Sequence, residues 1–149
     1  MLVFRITLTK YANNLFASAR AARWNSNEVK VIYTANSRAL ACLENVVHRS
    51  KLGLSSHFSI MEIEIPNSIA VTEVNLKSLP KNWDQFEQMH LMQKIGDQWI
   101  EDCKTVVLKV PSSIIHDEFN YLLNPNHLDF DKINLVTVRP FFFDDRIKR

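Results

Sequence analysis

Glycine is almost missing from this chain: Gly53 and Gly96 are the only two. No glycine-rich loop can therefore bring a row of backbone N–H groups onto a phosphate, which excludes the Walker and dinucleotide-fold fingerprints. Any nucleotide bound here has to be held by side chains. Cysteine is equally scarce. Cys42 and Cys103 lack the C-x-x-C spacing of a redox or zinc site and read as reduced, buried thiols of a cytoplasmic protein. The apolar N-terminal run is broken at Arg5 and has no small-residue cleavage site, and no stretch approaches the ~18 apolar residues of a membrane span, so neither export nor membrane insertion is expected. An excess of one charge is also lacking. Eighteen basic residues against sixteen acidic ones give a formal charge of +2, too little for an electrostatic nucleic-acid binder, although the excess gathers in the first fifty residues and in the tail Arg146-Ile147-Lys148-Arg149. The five histidines, His48, His57, His90, His116 and His127, show neither H-x-H nor H-E-x-x-H spacing, so no metal site is expected. No G-x-S-x-G elbow occurs.

What the chain does contain is 46% hydrophobic and 23% charged residues over a length of 149, the composition of an ordinary globular protein with one core, and residues 1–149 are read as a single domain. Val3 to Leu8 alternates as an opening strand, and Val29 to Tyr33 makes a second, after a polar, alanine-rich connection. Asn36 to His48 starts at an N-cap residue and ends near Gly53, with apolar residues dense enough for a mostly buried helix. Phe58 to Ile65 alternates strictly and stops at Pro66, which predicts a strand with one wet face. Asp84 to Asp102 has helical spacing interrupted by Gly96, as two short helices or a helix and a loop. Thr105 to Val110 reads as a buried strand, Asn120 to His127 as a helix end with an Asx-type turn, and Asn134 to Phe143 as a last strand that Pro140 places at an edge or a bulge. Without regular βαβα alternation the expected class is α+β with a mostly antiparallel, mixed sheet.

Glu44 is the most informative single residue. Its helical neighbours include Leu40, Ala41, Val47 and His48, so its carboxylate emerges on a largely apolar face and needs a reason to be there. A pair with His48 or with an arginine from another element is one reason; stabilisation of a cationic transition state is another. Arg23-Trp24-Asn25 joins a bidentate donor, a large aromatic and an amide, a combination suited to a diphosphate and a flat ring, though in isolation a surface arginine stacked on tryptophan is the favoured explanation. Tyr33 ends a strand where a side chain can reach a cleft. The hydroxyls of Pro111-Ser112-Ser113 can cap the next turn. Phe141-Phe142-Phe143 reads as core unless exposed, in which case it marks a partner.

Taken together these pieces resemble the RES domain, a family of bacterial toxins named for an arginine, a glutamate and a serine. The elements that match are Phe4-Arg5, Arg23-Trp24-Asn25, Tyr33-Thr34-Ala35 with Ser37, Ala39-Leu40-Ala41, Leu43-Glu44 leading to His48, Val110-Pro111-Ser112, and Asn120-Tyr121-Leu122-Leu123-Asn124-Pro125 with His127. They run in order over nearly the whole chain, with a ten-residue step from Arg23 to Tyr33 and an eleven-residue step to Glu44. Two positions depart from the pattern: Ala21-Ala22 stands where a glycine commonly precedes Arg-Trp-Asn, and Leu128 follows His127 where proline is usual.

The resemblance implies a fold related to ADP-ribosyltransferase toxins and cleavage of NAD at the nicotinamide–ribose bond, with NAD as substrate, no resident cofactor, and water or inorganic phosphate as co-substrate. That is a glycohydrolase or a phosphorylase; transfer to a protein side chain, as an ADP-ribosyltransferase, is the alternative, and a non-catalytic interaction module of the same fold is the competing class. It also implies a cognate antitoxin with a helix-turn-helix DNA-binding domain, a cytoplasmic location without direct nucleic-acid or membrane contact, and room for a homo-oligomer within the toxin–antitoxin complex. By the same resemblance Glu44, Arg23 and Ser112 are catalytic, and Tyr33, Arg5, Trp24, Asn25 and Asn124 bind the substrate. Arg23 holds the pyrophosphate or a ribose, Tyr33 borders the nicotinamide, and Arg5 is a second anion contact.

Overall fold

A computed structural model describes residues 1–147; Lys148 and Arg149 of the basic tail lie outside them. Nine regular elements follow one another: β1 (Leu2–Leu8), β2 (Ile32–Ala35), α1 (Arg38–His48), β3 (Phe58–Glu64), β4 (Val71–Glu73), α2 (Met89–Asp102), β5 (Val107–Pro111), β6 (Phe119–Leu123) and β7 (Asn134–Phe141). The strands form one sheet in the order β4-β5-β6-β2-β1-β3-β7. Every named pairing is antiparallel except β4 with β5. This is the expected α+β class with a mostly antiparallel, mixed sheet.

Alternation decides which side chains meet which layer. In β1, Phe4 and Ile6 join Ala35, Leu40, Ala41, Phe58 and Ile60 beneath α1. Val3 points the other way, into a layer with Ile32, Met61, Ile63, Val107 and Leu123. A third cluster beneath α2 gathers Trp24, Trp83, Met92, Trp99, Leu108, Val110 and Leu122. Burial of these large side chains, roughly 1.5–3 kcal/mol each, is the main force holding the sheet to its helices.

Five sequence expectations are corrected. The second strand begins at Ile32 rather than Val29 and runs to Ala35. The helix cap is Ser37, whose hydroxyl accepts from the Leu40 N–H, and α1 ends at His48. The strand after it has no wet face: Phe58 to Ile63 are all buried, because β3 lies inside the sheet with covered faces. Its one central carboxylate, Glu62, is matched by Arg38 of α1 and Arg139 of β7. Asn120 to Leu123 is strand β6, not a helix end, since pairing to both β2 and β5 satisfies its backbone. The Asx turn is present at Asn124, which accepts from the Asn126 N–H at 2.9 Å. Finally, Cys103 is exposed rather than buried; it forms the left-handed C-cap of α2, with φ at 50°. Cys42 is half-buried, and burial raises its thiol pKa.

Gly96 breaks nothing. It sits inside one continuous α2 because a β-carbon there would lie 1.6 Å from the Trp24 carbonyl oxygen. Pro140 stands in β7, at the sheet edge, where a missing N–H does least harm. Among the described residues no helix is long and apolar enough to cross a membrane.

Candidate active site in the cleft between β1 and β2

The sheet is weakest at its middle. β1 pairs with β3 along its whole length but with β2 at one position only, Phe4 opposite Ala35. Beyond that pair the two strands diverge, and the Ile6 carbonyl accepts from the Asn45 side chain of α1 at 3.0 Å. The connection from residue 9 to residue 31 uses this gap. Ala12, Leu15 and Ala17 pack on the layer opposite α1, whereas Trp24, Val29 and Val31 pack with α2. A long irregular connection inside a compact fold is uncommon and usually functional.

The result is a cleft of about 650 Å³, lined by Arg5 and Thr7 of β1, Arg23 and Trp24 of the connection, Tyr33 of β2, and Glu44 of α1, with His48 and Arg49 at the next turn of the chain. A smaller hollow of about 430 Å³ beyond Pro111 is lined by Glu73, Asp117 and Glu118. Its acidic wall repels anions, so the larger cleft is the candidate for a phosphate-bearing ligand.

The loop that carries Arg23 is tied to Tyr33 by traceable contacts. The Tyr33 hydroxyl donates to Asn25 Oδ1 at 2.5 Å and accepts from the Trp24 N–H at 3.1 Å. Burial, the larger cause, and the nearby Asp97 and Glu44 charges push its phenol far above the ordinary range. Asn25 is 1% exposed, and its amide donates to the carbonyls of Arg20, Ser26 and Val29. The loop it organises is closed by a Glu28 N–H to Ala19 carbonyl bond of 2.7 Å, with Ala19 and Glu28 in left-handed backbone at φ 59° and 72°. Ala21 and Ala22 are not among the positive-φ residues, so the missing glycine before Arg23 leaves the loop intact.

Two guanidinium groups in this cleft lack an anionic partner among the described residues. Arg23 lies 6.0 Å from the Trp83 ring and has a buried Nη1 with no hydrogen bond. Arg5 has no hydrogen-bond or ion-pair partner among the described residues, and burial drives its pKa down from 12.5 to about 10. Both arginines are half-buried, and partly desolvated cations without anions nearby suit an anionic ligand. Glu44 lines the same cleft with a half-buried carboxylate, and His48 Nε2 lies 3.7 Å from it. The cleft therefore offers two cationic arms, an aromatic wall and one carboxylate.

Arg5, Arg23, Trp24, Tyr33 and Glu44 thus come together. Three other expected residues do not line the cleft. Asn25 lies behind the loop with its donors and acceptor engaged. Asn124 is fully buried beside Cys103 and forms the Asx turn. Ser112 is 7% exposed, and its oxygen accepts from the N–H groups of Ile114 and Ile115, both at 3.1 Å. Its neighbours Pro111 and Ser113 reach the cleft instead. Ser113, Asn45 and Met89 were missed by sequence reasoning. Asn45 and Arg49 carried a signal, lying one and five positions beyond Glu44 and bonded to each other at 3.1 Å.

A family model described as RES domain matches residues 2–144. The chain belongs to the RES domain family. Among curated relatives of this RES domain, the Prs ADP-ribosylating toxin of Sphingobium sp. is 39% identical over 135 residues, 89% of this chain and 84% of that protein. Toxin Res of Yersinia enterocolitica is 33% identical over 99% of this chain and 100% of its own length. Among solved structures, one from the Mycobacterium tuberculosis MbcT-MbcA toxin-antitoxin complex superposes with a TM-score of 0.77 at 12% identity, covering 95% of this chain and 84% of that one. At that identity the likeness concerns the fold of the RES domain.

Proposed function

We propose that this RES domain is the toxin of a bacterial toxin–antitoxin pair and that its cleft cleaves NAD at the bond between nicotinamide and ribose. The observation that carries the reading is the shared lining of one cleft by two guanidiniums without anionic partners among the described residues, Arg5 and Arg23, and by the Glu44 carboxylate. The first pair suits a pyrophosphate, and the carboxylate suits the charge that appears at the anomeric carbon.

As the C–N glycosidic bond lengthens, its electron pair leaves with nicotinamide, which becomes neutral, and positive character develops on the ribose ring. Glu44 meets that charge in a cleft drier than bulk water, and an interaction strongest in the transition state raises the rate rather than merely the affinity. The acceptor oxygen then bonds to the anomeric carbon and gives up its proton, with Glu44 placed to orient it. Arg23 and Arg5 hold the pyrophosphate by side-chain forks, as a chain with two glycines requires. Tyr33 offers the wall for a flat ring, with the Trp24 backbone fixing its hydroxyl from behind.

Consumption of free NAD, with water or phosphate as acceptor, is the favoured form. Transfer to a protein side chain is the second reading, supported by the name of the Sphingobium relative, an ADP-ribosylating toxin. A cytoplasmic enzyme that destroys NAD must be restrained, and an antitoxin with a helix-turn-helix DNA-binding domain is the proposed partner; a carboxylate inserted between Arg5 and Arg23 would block the cleft. Phe142, 81% exposed, is available to such a partner. Expression in cells tests the reading. Wild type alone should deplete NAD and stop growth, and coexpression of the neighbouring open reading frame should restore both. Arrest with NAD unchanged favours modification of a protein; no arrest favours a binding module without turnover.

A further inference from the structure

We propose that Gly96 and Asp97 of α2, which do not themselves line the cleft, are positioning residues for its cationic arm: they dock the loop that carries Arg23. The inference rests on the NAD reading above. The loop is a preformed unit, closed internally by the Asn25 amide and by the Glu28–Ala19 bond. A unit of that kind moves as a body, so the place of Arg23 depends on where the unit is anchored.

It has two anchors. One is the Tyr33 hydroxyl on β2. The other is the surface of α2, through three contacts within about one turn of the helix. Gln93 Nε2 donates to the Ala22 carbonyl at 2.9 Å. Gly96 admits the Trp24 carbonyl to the helix surface, where a β-carbon would sit 1.6 Å from that oxygen. Asp97 accepts from the Ser26 N–H at 3.0 Å and from its hydroxyl at 2.5 Å. Residues 22, 24 and 26 are thus clamped on one side, and Arg23 lies between the first two. Its guanidinium has no hydrogen bond of its own at Nη1 to correct a misplaced backbone.

Gly96→Ala makes a defined perturbation. The loop must retreat by roughly 1.7 Å to bring the new carbon–oxygen contact near 3.3 Å, while the helix gains a better helix former. A misplacement of that size in a substrate-positioning group costs on the order of 100-fold in effective alignment. Helix integrity and cleft geometry should therefore part company.

The test compares wild type, Gly96→Ala, Asp97→Ala and the exposed control Lys94→Ala, reading circular dichroism, melting temperature, the Kd of inorganic pyrophosphate by calorimetry, and KM and kcat for NAD. Gly96→Ala should stay helical and raise both the pyrophosphate Kd and the NAD KM at least ten-fold, with kcat changed less; Asp97→Ala should move both in the same direction, and Lys94→Ala should match wild type. In the Gly96→Ala background, Arg23→Ala should add little, whereas independent structural damage would add its full loss. If Gly96→Ala does not fold, Asp97→Ala and Ser26→Ala carry the comparison. A folded variant with wild-type Kd, or one whose losses simply track its melting temperature, overturns the proposal. Wild type that binds pyrophosphate but releases no nicotinamide sinks the NAD reading and leaves the docking role to be judged on Kd; wild type that binds neither ligand overturns both.

Discussion

Replacing Tyr33 with phenylalanine removes one oxygen and exposes how the cleft is assembled. The ring keeps its place on β2, but two buried groups lose their partner: Asn25 Oδ1, which accepts from the hydroxyl at 2.5 Å, and the Trp24 N–H, which donates to it at 3.1 Å. Asn25 is 1% exposed, so water cannot replace the missing donor. An orphaned buried group costs about 1–3 kcal/mol. Two of them, sharing one local relaxation, should destabilise the protein by about 3 kcal/mol. For a chain of this size that lowers Tm by roughly 6–12 °C. The pH dependence has a sign as well. Burial holds the Tyr33 phenol above its ordinary value of 10.0, so its stabilising contribution is complete below about pH 10 and is lost as pH rises beyond it. The gap between wild type and Tyr33→Phe should accordingly narrow in alkaline solution. Thermal melts from pH 7 to 11 measure both effects. A loss under about 1 kcal/mol at pH 7, or a gap that widens with alkalinity, would refute the claim that this hydroxyl pins the Arg23 loop.

Arg5→Leu removes a half-buried cation with no anionic partner among the described residues; Tm should hold or rise by a few degrees while the NAD KM climbs at least ten-fold, a trade of stability for function that calorimetry and steady-state kinetics can separate. Glu62 is held below its ordinary value of 4.5, first by its hydrogen bond from Arg38 and then by that from Arg139. Its stabilising contribution is present above pH 4.5 and is lost as pH falls toward the lowered value, so Glu62→Gln should flatten the acid limb of a stability profile and leave the alkaline limb alone. Ser112→Ala leaves the Ile114 and Ile115 N–H groups without their acceptor and should cost about 1–2 kcal/mol in a denaturant melt. A fall in turnover much beyond the lost folded fraction would give the hydroxyl a role at the substrate.

Much of the fold was legible because local signals agreed with tertiary packing. The alternation of β1 and the cap-to-His48 helix survive because the same residues that pattern them, Phe4, Ile6, Leu40 and Ala41, meet in one cluster. Where the reading went astray, a long-range partner decided the outcome. Glu62 looked like the wet face of a strand, yet arginines from α1 and β7 neutralise it inside the sheet. Gly96 looked like a break, yet it is a docking point for a carbonyl seventy-two positions earlier. The candidate site divides in the same manner. Arg23, Tyr33 and Glu44 were readable as chemistry out of place, whereas the structural employment of Asn25, Ser112 and Asn124 depends on hydrogen bonds that no spacing reveals.

The central claim is that Glu44 stabilises charge at the anomeric carbon of NAD, and the most direct measurement is nicotinamide release by purified wild type and Glu44→Gln. The substitution is nearly isosteric, and the carboxylate's ion pair with His48 is a 3.7 Å helical contact worth only about 0.2–0.5 kcal/mol, so the fold should persist with an unchanged circular dichroism spectrum. A unit charge about 4 Å from a developing cation is worth about 4 kcal/mol at an effective dielectric of 20, which corresponds to nearly three orders of magnitude in rate. The account predicts release by wild type and a loss of roughly 100- to 1,000-fold in a folded Glu44→Gln. Equal rates from two folded proteins, or no release from wild type with water, phosphate or a protein acceptor present, would contradict it.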